Sequence, residues 1–262
     1  MTPETQRELE MRAAAAVRYK TELGWSIIPT HGARDGICTC PMGARCTRAG
    51  KHPARTNFLE MAHDDAATLR SRWTLVCFNM ARVVDQLVVD VDGARALALL
   101  QKFGPWPVTP TVITARGFQM HLRWPFGTPT PTVGGLDKLP CDVRGLRDLA
   151  TLPPSVHKSG HRYRWRDGES PYDIPVALAP LAFAAFVQRV ANARAKRRAP
   201  DATVTTMAGA MALASRRASY ASRTSNGAGR GAVGLRRTLD EAGAPSAVID
   251  AALAQFSAEA GR

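Results

Sequence analysis

Apolar and polar positions are arranged in different ways along the chain, and each arrangement predicts its own kind of element. Residues 4 to 23, rich in Ala, Glu and Arg and followed by Gly24 as a C-cap, predict a helix. Trp25 to Pro29 predicts a short strand. From His31 to Pro53 the periodicity fades, which predicts a loop ordered by something other than a core. A helix is expected over Asp64 to Trp73, with the two aspartates at its N-terminal end. The apolar, β-branched run from Leu87 ends in Asp90-Val91-Asp92-Gly93 and reads as a buried strand. A helix over Ala94 to Phe103 follows, broken by Pro105, Pro107 and Pro110. Between Thr111 and Trp165, Gly and Pro turns separate short strands, and helix returns over 175 to 198. After Pro200 the composition shifts to Ala, Ser, Gly and Arg, with two or three helices expected between 205 and 260. There is no internal repeat or heptad run. The pattern predicts an α+β protein with a main domain over 1–200 and a helical C-terminal module over 201–262.

Charge adds a partner. The 262 residues carry 35 Lys and Arg against 22 Asp and Glu, a formal net charge of +13. So basic a chain suits a polyanion, because each phosphate neutralised releases counterions; the competing reading is a solvated surface. From Arg189 onward twelve basic side chains face five acidic ones, among them Arg194, Arg216, Arg217, Arg223, Arg230, Arg236 and Arg237, a candidate nucleic-acid track. The longest apolar stretch, Val176 to Val187, contains Pro180 and is too short to span a bilayer, and Met1 to Glu10 lacks a signal-peptide layout. A cytoplasmic protein without a membrane partner is therefore expected, in which five cysteines are metal ligands or core thiols rather than disulfides.

Three short segments carry candidate chemistry. Residues i and i+2 of a strand share a face, so Asp90 and Asp92 project together at the end of a buried strand. Like charges placed so are costly, and a divalent cation with hard oxygen ligands, Mg²⁺ or Mn²⁺, relieves them; the alternative is a strand end open to solvent. In Thr114 to Leu122, a Gly turn between strands exposes Arg116 and the Gly117 backbone to an anion and returns His121 to the sheet, where its imidazole can hold a phosphate oxygen; the alternative is a satisfied core or surface histidine. Asp142 and Arg144 share a face of a further strand, either beside the first pair or as a surface ion pair.

Cys38, Cys40, Cys46 and His52 lie within fifteen positions of a loop that lacks a core. Three thiols and an imidazole suit a tetrahedral structural Zn²⁺, whose binding would supply the missing folding free energy. His31 is an alternative fourth ligand, and Cys77 and Cys141 read as core thiols.

The order of these segments resembles the bifunctional primase-polymerase (prim-pol) branch of the archaeo-eukaryotic primase superfamily. Over residues 19 to 166 the chain has Gly24-Trp25, Gly50-Lys51-His52-Pro53, Asp90-Val91-Asp92, Asp142-Val143-Arg144, Pro153-Pro154-Ser155, Gly160 and Tyr163-Arg164-Trp165, in the order of the family pattern. It departs from that pattern at Gln119, at Arg82 to Asp85 and at Leu146 to Leu149. The resemblance implies a primase-like catalytic core with an inserted zinc loop at about 31–53. It implies that Asp90, Asp92 and Asp142 hold two Mg²⁺ or Mn²⁺ ions. His121 would bind the incoming nucleotide's phosphates, with Arg116, Lys51 and Arg144 as further phosphate or template contacts. The implied activity is template-directed nucleotidyl transfer from (d)NTPs on a DNA template and primer, in plasmid, phage or mobile-element replication. Any helicase would come from another chain, since Gly227 to Gly234 lacks the ending of a phosphate loop. Two other functions compete. One is a non-catalytic, zinc-containing nucleic-acid-binding replication factor. The other is a haloacid-dehalogenase-like phosphatase, whose nucleophile strand resembles Val88 to Gly93 but wants Thr at Ala94.

Overall fold

The computed structural model describes residues 2–73, 78–138, 140–198, 206–221 and 227–260. Cys77, the expected linker near 200 and Arg223 lie outside the described residues. The chain folds as two units, Met1–Ala193 and Arg194–Arg262.

The first unit opens with α1 (Pro3–Leu23), which Thr2 caps by accepting the Thr5 N–H and Gly24 ends at φ 68°. Its buried stripe of Leu9, Ala13, Ala16 and Tyr19 packs with Trp25, Leu69, Trp73, Met80 and Leu152. The chain continues through β1 (Ile27–Thr30), the two-residue strands β2 (Ala33–Arg34) and β3 (Ile37–Cys38), and the short helices α2 (Phe58–Met61) and α3 (Ala66–Ser71). Asp65, not Asp64, caps α3, accepting the Thr68 N–H; Asp64 pairs instead with Arg72. Then come β4 (Asn79–Val83), β5 (Leu87–Asp92), α4 (Ala94–Gln101), β6 (Thr111–Ile113), β7 (Gly117–Leu122), β8 (Cys141–Arg144), β9 (Leu149–Thr151), β10 (Arg164–Trp165) and α5 (Leu181–Arg198).

The strands form a five-stranded sheet in the order β10-β6-β7-β5-β8, a three-stranded sheet in the order β1-β4-β9, and the hairpin β2-β3. Every pairing in them is antiparallel. The period of two sorts the five-stranded sheet into unlike faces. Leu87, Val89, Val91, Met120, Leu122, Cys141 and Val143 point to one side and bury themselves with Ala96, Leu99 and Leu100 of α4 and Phe183, Ala184 and Val187 of α5. Val88, Asp90, Asp92, Gln119, His121, Asp142 and Arg144 occupy the other. The approach of β7 to β5 is close enough at Gly117 that a side chain there would collide with the Val91 carbonyl.

The structure departs from the sequence expectations in several places. Strands β4 and β9 were not expected; β4 is buried at all five positions, including polar Asn79 and Arg82, which obscured its pattern. Helix α5 starts at Leu181, because Pro175 and Pro180 hold the preceding segment out of helix. The loop over 31–53 contains the hairpin β2-β3, too short to leave a hydrophobic period.

The second unit holds α6 (Met207–Ala221), α7 (Gly227–Glu241) and α8 (Ser246–Ala260) around Ala210, Ala214, Ala218, Leu235, Leu239, Ala252 and Phe256. Exposed Arg236 and Arg237 pair with Asp250 and Glu241. Among the described residues no helix is long and apolar enough to cross a membrane.

Candidate active site and metal centre

Strand register sets the acidic group. Asp90 of β5 lies directly opposite Asp142 of β8, so both side chains leave the sheet on one face, and Asp92 follows two residues on. Arg144 is on the same face. Its Nη2 donates to Asp90 Oδ2 at 3.0 Å and lies 3.5 Å from Asp142 Oδ2, while Nη1 is 3.8 Å from Asp148. Burial works against this guanidinium, but Asp90, Asp148 and Asp142 outweigh it and hold its pKa above the ordinary value. The Gly135 N–H donates to Asp142 Oδ1 at 2.7 Å, and Arg116 pairs with Asp92. A fixed cation thus lies among carboxylates that would otherwise repel. Oxygen donors are the type that Mg²⁺ or Mn²⁺ takes, but in this structure the three aspartates are engaged by Arg144, Arg116 and the Gly135 N–H. Among the described residues only the cluster of Cys38, Cys40, Cys46 and His52 brings three or more ligand atoms within 4.8 Å of one another.

A cleft of about 260 Å³ opens over this face, lined by Asp90, Gln119 and Arg144 from the sheet, Leu149 and Thr151 from β9, and Thr47, Arg48 and Lys51 from the 31–53 loop. Lys51 is an expected phosphate contact, whereas Arg48 carries no sequence signal of its own. Burial lowers the pKa of the Lys51 ammonium, opposed by the charges of Asp90 and Asp92. His157 is depressed to about 4, first by burial and then by Lys51, Lys158, Arg116 and His161. Tyr163, 2% exposed, is close enough to Asp90 and Asp92 that burial and their charges raise its phenol.

His121 departs from expectation. It shares the carboxylate face, but its ring has no exposed surface, so in this structure the imidazole does not line the cleft. Trp25 stacks on it at 5.4 Å and 8°, and Trp165, 6.3 Å from Trp25, packs beside it tilted at 5.4 Å. Arg82, itself over the Trp25 ring, places Nη1 3.4 Å from His121 Nδ1. A guanidinium only donates, so Nδ1 is the acceptor and the ring is neutral with its proton on Nε2. Burial and the Arg82 charge push its pKa well below 6.5. In the unfolded chain the ring protonates near 6.5, whereas in the folded protein it stays neutral until far lower pH. This contribution to stability is complete above pH 6.5 and is lost as pH falls below it, at up to about 1.4 kcal/mol per pH unit. Chemical denaturation from pH 7.5 to 5 is expected to show that decline, and His121→Phe to make it shallower, leaving the share that His157 contributes; equal slopes would rule out a neutral buried ring.

The second cluster fits a soft metal. The Sγ atoms of Cys38, Cys40 and Cys46 and a ring nitrogen of His52 lie within 4.8 Å of one another. Cys38 Sγ and Cys46 Sγ are 3.4 and 3.5 Å from His52 Nε2. Ligands on a tetrahedron with bonds of about 2.3 Å stand roughly 3.8 Å apart, so a Zn²⁺ fits between them with small adjustment. His52 Nδ1 lies 3.2 Å from the Pro53 carbonyl, which holds its proton and leaves Nε2 for the metal. His31, the alternative ligand, turns its Nδ1 to Thr39 Oγ1 at 3.3 Å.

Residues 16–182 match the family model described as bifunctional DNA primase/polymerase, N-terminal. The chain belongs to this primase/polymerase family. No curated protein and no solved structure matches it. The primase/polymerase match covers both sheets, the cleft and the thiol cluster, and it ends before the Arg194–Arg262 unit. The family is one of nucleotidyltransferase-type enzymes that act on DNA and nucleotides and use divalent metals.

Proposed function

We propose that this protein is a template-directed DNA primase/polymerase that transfers nucleotides from (d)NTPs to a 3′-hydroxyl, and that its catalytic domain is a primase-like core over 1–200. The observation that carries the reading is the cross-strand pair Asp90–Asp142 with Asp92 on the same face, where Asp90 lines a cleft that Arg48, Lys51 and Arg144 line as well. In this reading Asp90, Asp92 and Asp142 hold the divalent ions, which activate the attacking hydroxyl and stabilise the pyrophosphate that leaves. Lys51 neutralises phosphate charge within the cleft, and Arg116 and Arg144 change partners from carboxylate to phosphate or template. His121 supports the sheet from beneath the cleft. Cys38, Cys40, Cys46 and His52 hold a structural Zn²⁺ that orders the loop carrying Lys51. The helical module over 201–262 adds basic surface for DNA, and a motor, where one is needed, comes from another chain.

Extension of a labelled primer on templates of known sequence, with Mg²⁺ or Mn²⁺, tests this. Incorporation following the template base is the expected result. DNA binding without extension would replace the reading with a non-catalytic replication factor. Phosphate release from a small phosphoester, again without extension, would point to a phosphatase.

A further inference from the structure

The 31–53 loop does more than enclose a metal. Thr47 and Arg48 follow Cys46 directly and Lys51 precedes His52, so the segment between two thiol-cluster ligands is also one wall of the cleft. Among the described residues, neither Arg48 nor Lys51 has a carboxylate partner at ion-pair distance. Both line the same cleft as Asp90 and Arg144. The positive charges of Lys51, Lys158 and Arg116 also act together on His157. Cations gathered over a group of carboxylates suit a ligand with its own negative charge, brought in with divalent ions.

One buried side chain fixes that wall. Asn79, the first residue of β4, has no exposed surface. Its Nδ2 donates to the Gly50 carbonyl at 3.0 Å and to the Val156 carbonyl at 2.8 Å, and its Oδ1 accepts the Val156 N–H at 3.0 Å. A single amide therefore joins the sheet, the loop immediately before Lys51, and the turn that carries His157. Gly50 is suited to this approach: its φ is 73°, and an added Cβ would stand 3.3 Å from Asn79 Nδ2. The far end of the loop is pinned by the His31 N–H to the His52 carbonyl at 3.0 Å and by the bridge between Thr30 and Pro53.

We infer that this loop is the phosphate-binding jaw of the cleft, with Arg48 as a nucleotide-binding residue and Asn79 as the positioning residue that sets the jaw. The inference rests on the primase/polymerase reading and deepens it. Arg48 and Lys51 take the triphosphate of the incoming nucleotide. Because both sit between Cys46 and His52, the state of the thiol cluster sets nucleotide affinity while leaving primer–template affinity alone.

Two measurements on the full chain test this. In steady-state extension, Arg48→Ala is expected to raise KM for the nucleotide about tenfold with kcat within about twofold, and Arg48→Lys to recover most of the loss. Asn79→Asp, which keeps the size and Oδ1 but replaces the donor, should raise KM in the same way; its melting temperature, read alongside, separates a displaced jaw from an unfolded chain. The second measurement needs no turnover: nucleotide and primer–template affinities with Ca²⁺ present, before and after treatment with a zinc-selective chelator. Weakened nucleotide binding with unchanged DNA binding is the expected outcome. An unchanged KM in Arg48→Ala, in an enzyme that extends primers and loses extension in Asp90→Ala, would overturn the inference and leave the polymerase reading intact. A wild-type chain that neither extends primers nor binds nucleotide would overturn both.

Discussion

Asp90→Asn is expected to reduce primer extension by about a thousandfold or more while leaving DNA binding unchanged. The substitution keeps the side chain's size and removes its charge. In the proposed mechanism Asp90 is the middle carboxylate, two residues from Asp92 on its own strand and opposite Asp142 on the next. Losing it forfeits several kcal/mol of charge stabilisation in the transfer step, and each 1.4 kcal/mol is about tenfold in rate. The fold should tolerate the change, because Arg144 keeps Asp142 and Asp148 as partners. Melting within a few degrees of wild type, with extension gone, is the diagnostic combination. Extension at a tenth of the wild-type rate or better would mean that the ions, if used, are held elsewhere.

Loss of the thiol-bound metal should show first in stability. Cys38, Cys40 and Cys46 form a small buried cluster of their own with Ala49, separate from the main core. The loop thus has little apolar packing to hold it, and metal–ligand bonds are the available source of order. Cys46→Ser, or chelation of the wild type, is expected to lower the melting temperature by at least about 5 °C, on the scale of roughly 2–4 °C per kcal/mol for a unit of this size. Elemental analysis of the purified protein should find a single zinc per chain. An unchanged melt together with no bound metal would remove zinc from the account.

How much of this was legible in the sequence depended on how local each signal is. Asp90, Asp92 and Asp142 could be read because a strand's period of two fixes the face of a side chain whatever its neighbours, with a Val-rich run marking β5 and the alternation Cys141-Asp142-Val143-Arg144 marking β8. The thiol cluster could be read because its ligands lie close in the chain. Strand β4 could not: Asn79 and Arg82 look like surface residues until partners far along the chain are known, and those of Asn79 are Gly50 and Val156, 29 and 77 residues away. The sealing of His121 was hidden for the same reason, since its enclosing rings come from Trp25, before β1, and Trp165, on β10. Arg48 looked like any loop arginine, and only the folding of the loop against the sheet brought it into the cleft that Asp90 lines.

The two candidate ion sites stand in opposite relation to folding. Among the carboxylates, Arg144 is a counter-charge that the chain carries with it, so the sheet closes without help from solution and hard cations can come and go from a finished scaffold. The sulfur cluster has no such tethered substitute. A preparation stripped of magnesium should therefore keep its shape on the shelf and regain activity on resupply, whereas one stripped of zinc has to refold part of itself.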